Sequence, residues 1–185
     1  MNILYFSLMQ RLIAGILVLV LSPLLLLTLL FVWIIELERP VFIQERIGYE
    51  KEPFNVYKIR TMKAGKITLI GRILRKTGID ELPQLFNIVN GEMNFVGPRP
   101  LTHADIVRLN WDDPIHRVRW NVKPGITGKA QLVNVCDASV SWQCDLEYIE
   151  SRSALNDLKI IWRSALVPFL GKDKTKQLIH KNSTT

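Results

Sequence analysis

The chain has 185 residues, 48% of them hydrophobic, with a formal net charge of +7 and a pI near 9.6. That length allows one compact domain and little more. No arginine-rich recognition helix or nucleic-acid reading module accompanies the basic balance, so nucleic acid is not the expected partner. Two cysteines, Cys136 and Cys144, make neither a disulfide framework nor a metal cage, and read as reduced thiols.

The first predicted element is an apolar leader. Leu12 to Ile35 is interrupted only by Gly15, Ser22, Pro23 and Thr28, and no small-residue cleavage site follows, so the segment is expected to be retained. As a straight helix it reaches roughly 36 Å, enough to cross a bilayer. Ser22-Pro23 opens a second possibility. Proline inside a helix removes a backbone hydrogen bond and favours a kink, and the Ser22 hydroxyl can satisfy a freed carbonyl. Two arms of roughly 15 Å would then dip into one leaflet and return, with Arg11 and Arg39 at the same interface. Composition alone leaves the spanning and re-entrant forms both open. Within residues 1–40 the charges of Arg11, Arg39, Glu36 and Glu38 cancel, so the whole positive excess lies beyond the leader. A basic domain beside an apolar helix is expected to face the anionic cytoplasmic leaflet.

Short β-like runs follow at Val41–Gln44 and Phe54–Ile59, punctuated by Gly48 and Pro53. Lys66 to Lys76 repeats at helical period, with Leu69, Ile70, Ile73 and Leu74 on one side and Arg72, Arg75 and Lys76 on the other. This predicts a short amphipathic helix suited to a headgroup layer or to an ordinary surface. Asp80 to Val89 is the next predicted helix, with Leu82, Leu85, Phe86 and Val89 as its buried stripe and Asn90-Gly91 as its stop. Gly97-Pro98-Arg99-Pro100 and Lys123-Pro124-Gly125-Ile126-Thr127-Gly128 read as rigid turns, the first holding Arg99 in stiff extended backbone. Further helices are expected over 103–110, 139–150 and 155–170. Trp162 with Lys159 and Arg163 suggests contact with an interface for the last of these. Residues 172–185 read as a basic tail. The expected division is a leader (1–39), a catalytic domain (40–171) and this tail.

The chemistry concentrates at Asp80-Glu81. Seven basic residues and no acidic one lie between Pro53 and Ile79, so two adjacent carboxylates stand beside a phosphate-attracting surface. Capping alone would account for Asp80 but not for the second acid. A carboxylate can attack phosphorus, a divalent ion on the neighbouring acid would screen the repulsion, and arginines would hold the remaining oxygens. The pattern points to phosphoryl-group exchange on a pyrophosphate. His103, His116 and His180 are isolated and read as packing or surface residues. Trp111, Trp120 and Trp142 read as core or interface, and Asp112-Asp113 as capping or solvated acids.

These motifs, in this order, closely resemble the bacterial sugar transferases that start lipid-linked glycan assembly, the small monotopic phosphoglycosyl transferases. The resemblance runs through Ser22-Pro23, Pro40 to Gly48 with Gln44 and Arg46, and Tyr57-Lys58-Ile59-Arg60-Thr61-Met62. It continues through Arg75 to Leu85, Gly91 to Leu101 and Lys123 to Gly128. It implies an α+β, mostly helical fold: a re-entrant membrane helix-break-helix and a small cytoplasmic domain with amphipathic interface helices. It also implies transfer of a sugar-1-phosphate from a UDP-sugar to undecaprenyl phosphate at the bacterial inner membrane, with UMP released. Asp80 is then the nucleophile and Glu81 the Mg²⁺ ligand that assists charge handling. Lys58, Arg60, Arg75, Arg99 and Gln131 are the expected substrate and phosphate contacts. Downstream glycosyltransferases are possible partners. The stretch between Met62 and Arg72 is shorter than in many family members, and the chain is expected to approach the minimal catalytic form. A metal-dependent phosphatase or pyrophosphatase on lipid-linked substrates, and a non-enzymatic membrane adaptor, are the competing readings. Which sugar is carried, and which glycan is built, are not written in these residues.

Overall fold

The computed structural model describes residues 3–133 and 137–170. Cys136 and the basic tail fall outside them. Among the described residues the fold is mostly helical, with three small two-stranded sheets. It divides into two compact units, Met1–Glu45 with Phe54–Glu92, and Arg46–Pro53 with Met93–Thr185.

The first unit begins with a 34-residue helix, α1 (Ile3–Glu36), long and apolar enough to cross a membrane. Helical structure continues through Pro23, so the expected break is a proline inside one helix rather than a non-helical interruption. Pro23 has no N–H to offer the carbonyl of Leu19, and the Ser22 hydroxyl donates to that same oxygen at 2.8 Å. Most of α1 is exposed, including Leu12, Leu19, Leu26 and Leu27. Two stretches are buried: Gln10 and Ala14 near one end, and Val32 near the other. Val32 packs with Ile59 and Leu74, surrounded by Leu25, Leu29, Ile70 and Ile79.

Strands β1 (Val41–Ile47) and β2 (Pro53–Ile59) pair, and β3 (Met62–Lys63) and β4 (Lys66–Ile67) form a tight hairpin with Met62 opposite Ile67. The predicted helix over Lys66–Lys76 therefore starts late. The Thr68 side chain caps α2 (Leu69–Thr77) by accepting from Gly71 N, and Lys66–Ile67 belongs to the hairpin. Leu74 is buried, whereas Leu69 and Ile73 stay exposed beside Arg72 and Lys76. Gly71 lies where the Thr61 backbone passes, and a Cβ there would sit 2.1 Å from the Thr61 carbonyl oxygen.

Downstream, the predicted helix from Asp80 to Val89 is two pieces. Ile79–Glu81 is a single 3₁₀ turn, and α3 (Gln84–Asn90) starts after Pro83. Pro83 has no N–H to return to Ile79, so the α-helical ladder cannot extend upstream through it. The register of burial changes accordingly. Gln84, Leu85, Asn87 and Ile88 are buried, while Phe86 and Val89, two members of the predicted stripe, are exposed.

In the second unit, β5 (Asn94–Val96) pairs in parallel with β6 (Gly125–Thr127), so one short strand leads directly into the first expected turn and the other lies within the second. Around them lie α4 (His103–Leu109), α5 (Lys129–Val133), α6 (Ala138–Glu150) and α7 (Ala154–Leu170). A capping box of Thr102 and Asp105 starts α4. One core gathers Val96, Leu132, Tyr148 and Ile160; another gathers Leu101, Ile106, Trp111 and Trp120. The tryptophans thus serve packing, and His116 stacks on Trp111 at 5.3 Å while pairing with Asp113 at 2.6 Å. Cys144 is a buried free thiol.

Candidate active site

Gly78 sets the position of the acidic pair. It ends α2 with φ +76°, a conformation an L side chain rarely adopts, and turns the chain directly into the 3₁₀ turn that carries Asp80 and Glu81. Asp80 is buried at 8% exposure, unusual for a carboxylate with no salt bridge of its own among the described ones. Burial holds its carboxyl above the usual carboxylate range and the Glu81 charge pushes it further, while Lys58, Arg75 and its own backbone N–H pull it part of the way back.

Glu81 faces β2, where Lys58 Nζ donates to Glu81 Oε1 at 2.8 Å. Arg75, on the last turn of α2, donates from Nε to Thr61 Oγ1 at 2.8 Å. That contact fixes the guanidinium by one edge and leaves its terminal nitrogens for other acceptors. Asp80, Glu81, Lys58 and Arg75 are thus brought together within the first unit. Arg60 is employed differently. Its Nε donates to the Arg39 carbonyl at 2.8 Å and its Nη1 lies 3.5 Å from Glu38, tying β2 to the end of the leader.

Two positioning residues escape the sequence reading. Asn87 is fully buried and clamps α3 to β2. Its Nδ2 donates to Asn55 O at 2.6 Å and to Glu92 Oε2 at 2.7 Å, while its Oδ1 accepts from Tyr57 N at 3.3 Å. Lys58 is the next residue along that strand. Thr61, which aims Arg75, is the other. Neither carries a periodic signal; a lone Asn or Thr in a short element gives no hint of burial.

Arg99 and Gln131 belong to the second unit. The Arg99 side chain is exposed, at the tip of the loop between β5 and α4. Arg46 Nη1 donates to the neighbouring Pro100 carbonyl at 3.1 Å and lies 3.5 Å from Asp105. Burial and the Arg99 charge lower the Arg46 pKa, against the opposing pull of Asp105. Arg119 Nη2 donates to the Arg99 carbonyl at 2.5 Å, and its Nε to Asp145 Oδ2 at 2.9 Å. Gln131 donates to Ile126 O at 3.3 Å, and its Oε1 is buried without a hydrogen-bond partner.

No group of three or more metal-ligating side chains occurs among the described residues. Two adjacent carboxylates are nevertheless a donor set that suits Mg²⁺ when substrate phosphates and water supply the other oxygens.

The chain joins a helix long and apolar enough to cross a membrane to a mixed helix-and-strand fold that carries a buried carboxylate among cations. The bacterial sugar transferase family matches residues 2–171, and the chain belongs to that family. It is 32% identical over 165 residues to the UDP-N-acetylgalactosamine-undecaprenyl-phosphate N-acetylgalactosaminephosphotransferase of Aeromonas hydrophila, covering 77% of this chain and 38% of that protein. It is 35% identical over 175 residues to the UDP-glucose:undecaprenyl-phosphate glucose-1-phosphate transferase of Caulobacter vibrioides, covering 82% of this chain and 64% of that one. With the undecaprenyl-phosphate glucose phosphotransferase of Komagataeibacter xylinus it shares 38% identity over 174 residues, 79% of this chain and 32% of the relative. The chain thus spans about a third to two thirds of the length of these curated relatives.

Proposed function

We propose that the chain transfers a sugar-1-phosphate from a UDP-sugar to undecaprenyl phosphate, releasing UMP, through a covalent aspartyl phospho-sugar on Asp80. The observation that carries this reading is the buried Asp80 carboxyl flanked by Glu81, Lys58 and Arg75, in a member of a family whose named relatives act on UDP-linked sugars and undecaprenyl phosphate.

A carboxylate oxygen of Asp80 attacks the phosphorus that bears the sugar. The new O–P bond forms as the bond to the UMP oxygen breaks, and UMP leaves. An oxygen of undecaprenyl phosphate then attacks the same phosphorus, the aspartyl O–P bond breaks, and Asp80 returns as a carboxylate. Burial strips the nucleophile of water and makes it reactive, and the charges of Lys58 and Arg75 keep it ionisable. Arg75, fixed by Thr61, grips phosphate oxygens with its terminal nitrogens, and Lys58 offsets negative charge arriving at the site. Glu81 is the residue that would hold Mg²⁺, which supplies charge neutralisation on the pyrophosphate when bound. Arg99 and Gln131 are proposed to contact substrate, whereas the partners of Arg60 favour a structural tie to the leader.

The leader is proposed to enter the cytoplasmic leaflet of the inner membrane and return, bent at Pro23. Support comes from both of its ends. Arg11 Nη2 donates to the Asn90 carbonyl at 2.7 Å, and the Glu36 carbonyl accepts from Lys63 Nζ at 2.7 Å. Positions 11 and 36 would stand about 38 Å apart on a straight helix, beyond a hydrocarbon core of about 30 Å. Both nonetheless bind residues of the same short 54–92 body. The exposed Leu69 and Ile73 of α2, beside Arg72 and Lys76, suit the same interface.

Intact-protein mass after incubation with Mg²⁺ and a panel of UDP-sugars, without lipid acceptor, tests the reading. The expected result is a gain of one sugar-phosphate that Asp80→Asn abolishes. Turnover with undecaprenyl phosphate but no adduct would mean direct transfer. Release of inorganic phosphate would mark a hydrolase, and a chain whose cellular role survives Asp80→Asn would be an adaptor.

A further inference from the structure

The Arg119–Asp145 pair is buried at 3% and 4% side-chain exposure, with Nε to Oδ2 at 2.9 Å. The Arg119 guanidinium also stacks against Trp111 at 5.4 Å and Trp120 at 5.0 Å. Removing two full charges from water is expensive, and apolar side chains of similar volume commonly stabilise a core at least as well. This core already holds Leu101, Ile106 and the two tryptophans, so it has no shortage of apolar material. What an apolar pair could not do is donate a hydrogen bond to the Arg99 carbonyl, as Arg119 Nη2 does.

That bond is one of several that fix the loop's backbone while leaving one side chain out. Arg46 takes the next carbonyl, that of Pro100. Gly97 N donates to Thr127 O at 3.0 Å, and a Cβ on Gly97 would lie 2.4 Å from the Lys123 carbonyl oxygen. Pro98 and Pro100 restrict the backbone on either side of Arg99. Gly97, Pro98 and Pro100 are all buried, and only Arg99 is exposed.

We propose that Arg119, oriented by Asp145, is a positioning residue: it holds the Arg99 backbone so that the Arg99 guanidinium is presented, pre-organised, to the diphosphate of the donor. Asp145 holds the Nε of Arg119 and leaves the adjacent Nη2 to donate to the loop. The benefit is entropic, since only the side-chain torsions of Arg99 remain to be ordered when phosphate binds. This inference rests on the reading above in which Arg99 grips the phosphates of a UDP-sugar.

A double-mutant cycle on the full chain in nanodiscs tests it, with UDP as the probe and Kd read by titration calorimetry. Arg99→Ala should weaken UDP by roughly tenfold or more, the loss of a charge-assisted contact. Arg119→Lys keeps the charge but not the rigid pair of donors that serves Asp145 and the Arg99 carbonyl together, and should weaken UDP about fivefold in the otherwise native chain. In the Arg99→Ala background the same change should add less than about twofold, because it acts through the residue already removed. Asp145→Asn, which keeps volume and an acceptor, should show the same non-additivity if Arg119→Lys folds poorly. Equal losses in both backgrounds would overturn the proposal, as would a lower fraction of binding-competent protein with unchanged Kd. An unchanged Kd for both variants beside a weakened Arg99→Ala would overturn it too. If Arg99→Ala itself leaves UDP binding intact, the phosphate role of Arg99 fails and the inference with it, a result distinct from the others.

Discussion

Lys58 Nζ reaches Glu81 Oε1 at 2.8 Å, and through that contact a cation on β2 stands over the turn that carries the buried Asp80. Lys58 lowers the Asp80 pKa, whereas burial and Glu81 raise it. Lys58→Met removes the lowering influence, so the Asp80 carboxyl should rise further. The acidic limb of aspartyl-adduct formation should then move to higher pH, with most of the loss at acidic pH and partial recovery as pH rises. Single-turnover mass spectrometry across pH checks this, and an unshifted acidic limb would count against Asp80 as the titrating nucleophile.

The same displacement has a stability consequence with a definite sign. A carboxyl whose folded-state pKa exceeds its unfolded value binds its proton more tightly when folded. The folded state is therefore unpenalised below the unfolded pKa and loses stability as pH rises through the folded one. Asp80→Asn, which cannot ionise, should be inactive yet melt at a higher temperature than the native chain at neutral pH. The gap should close toward acid pH, near the ordinary carboxylate range of about 4. Thermal unfolding of both proteins at several pH values decides it, and a gap that widens toward acid would contradict the burial argument.

The paired acids, the basic run before them, the β2 strand and helices α4, α6 and α7 were legible because each leaves a local mark, in spacing, composition or caps. The α3 register was not. Leu82, Leu85, Phe86 and Val89 fit a helical stripe, yet Pro83 delays the helix and rotates Gln84, Asn87 and Ile88 inward instead. The parallel pairing of β5 with β6 was equally hidden, since three-residue strands far apart in sequence show no alternation to read. Arg119 and Asp145 look like surface residues in the sequence, and only tertiary packing reveals that each is buried against the other.

Asn87 offers a separate check on how the site is held. Asn87→Ala leaves the Asn55 carbonyl and Tyr57 N–H inside the first unit without their side-chain partners. Both bonds are part-buried and Asn55 is itself exposed, so each contributes about 0.5–1.5 kcal/mol. The variant should unfold at lower denaturant with an unchanged m-value, and its adduct formation should slow as Lys58 loses its anchored strand. Denaturant melts beside single-turnover rates separate the two effects. Unaltered stability would mean that the clamp contributes nothing measurable.

The leader yields the prediction with the widest reach, because it fixes which side of the membrane each end occupies. Ser22 satisfies the Leu19 carbonyl that Pro23 leaves without its helical donor, so a bend there costs no unpaired group in lipid. With Arg11 and Glu36 both bound to the 54–92 body, single cysteines at Tyr5 and Leu37 should report the same side. In a chain with Cys136 and Cys144 replaced by serine, a membrane-impermeant maleimide applied to intact spheroplasts should label neither position. Permeabilised cells should label both. Pro23→Leu removes the proline that breaks the hydrogen-bond ladder and so favours the straight form of a leader already long enough to span. It should therefore move a fraction of the position-5 thiol to outside labelling while breaking the Arg11–Asn90 contact. Outside labelling of position 5 in the Pro23 chain would establish a spanning helix and place Arg11 across the bilayer from Asp80.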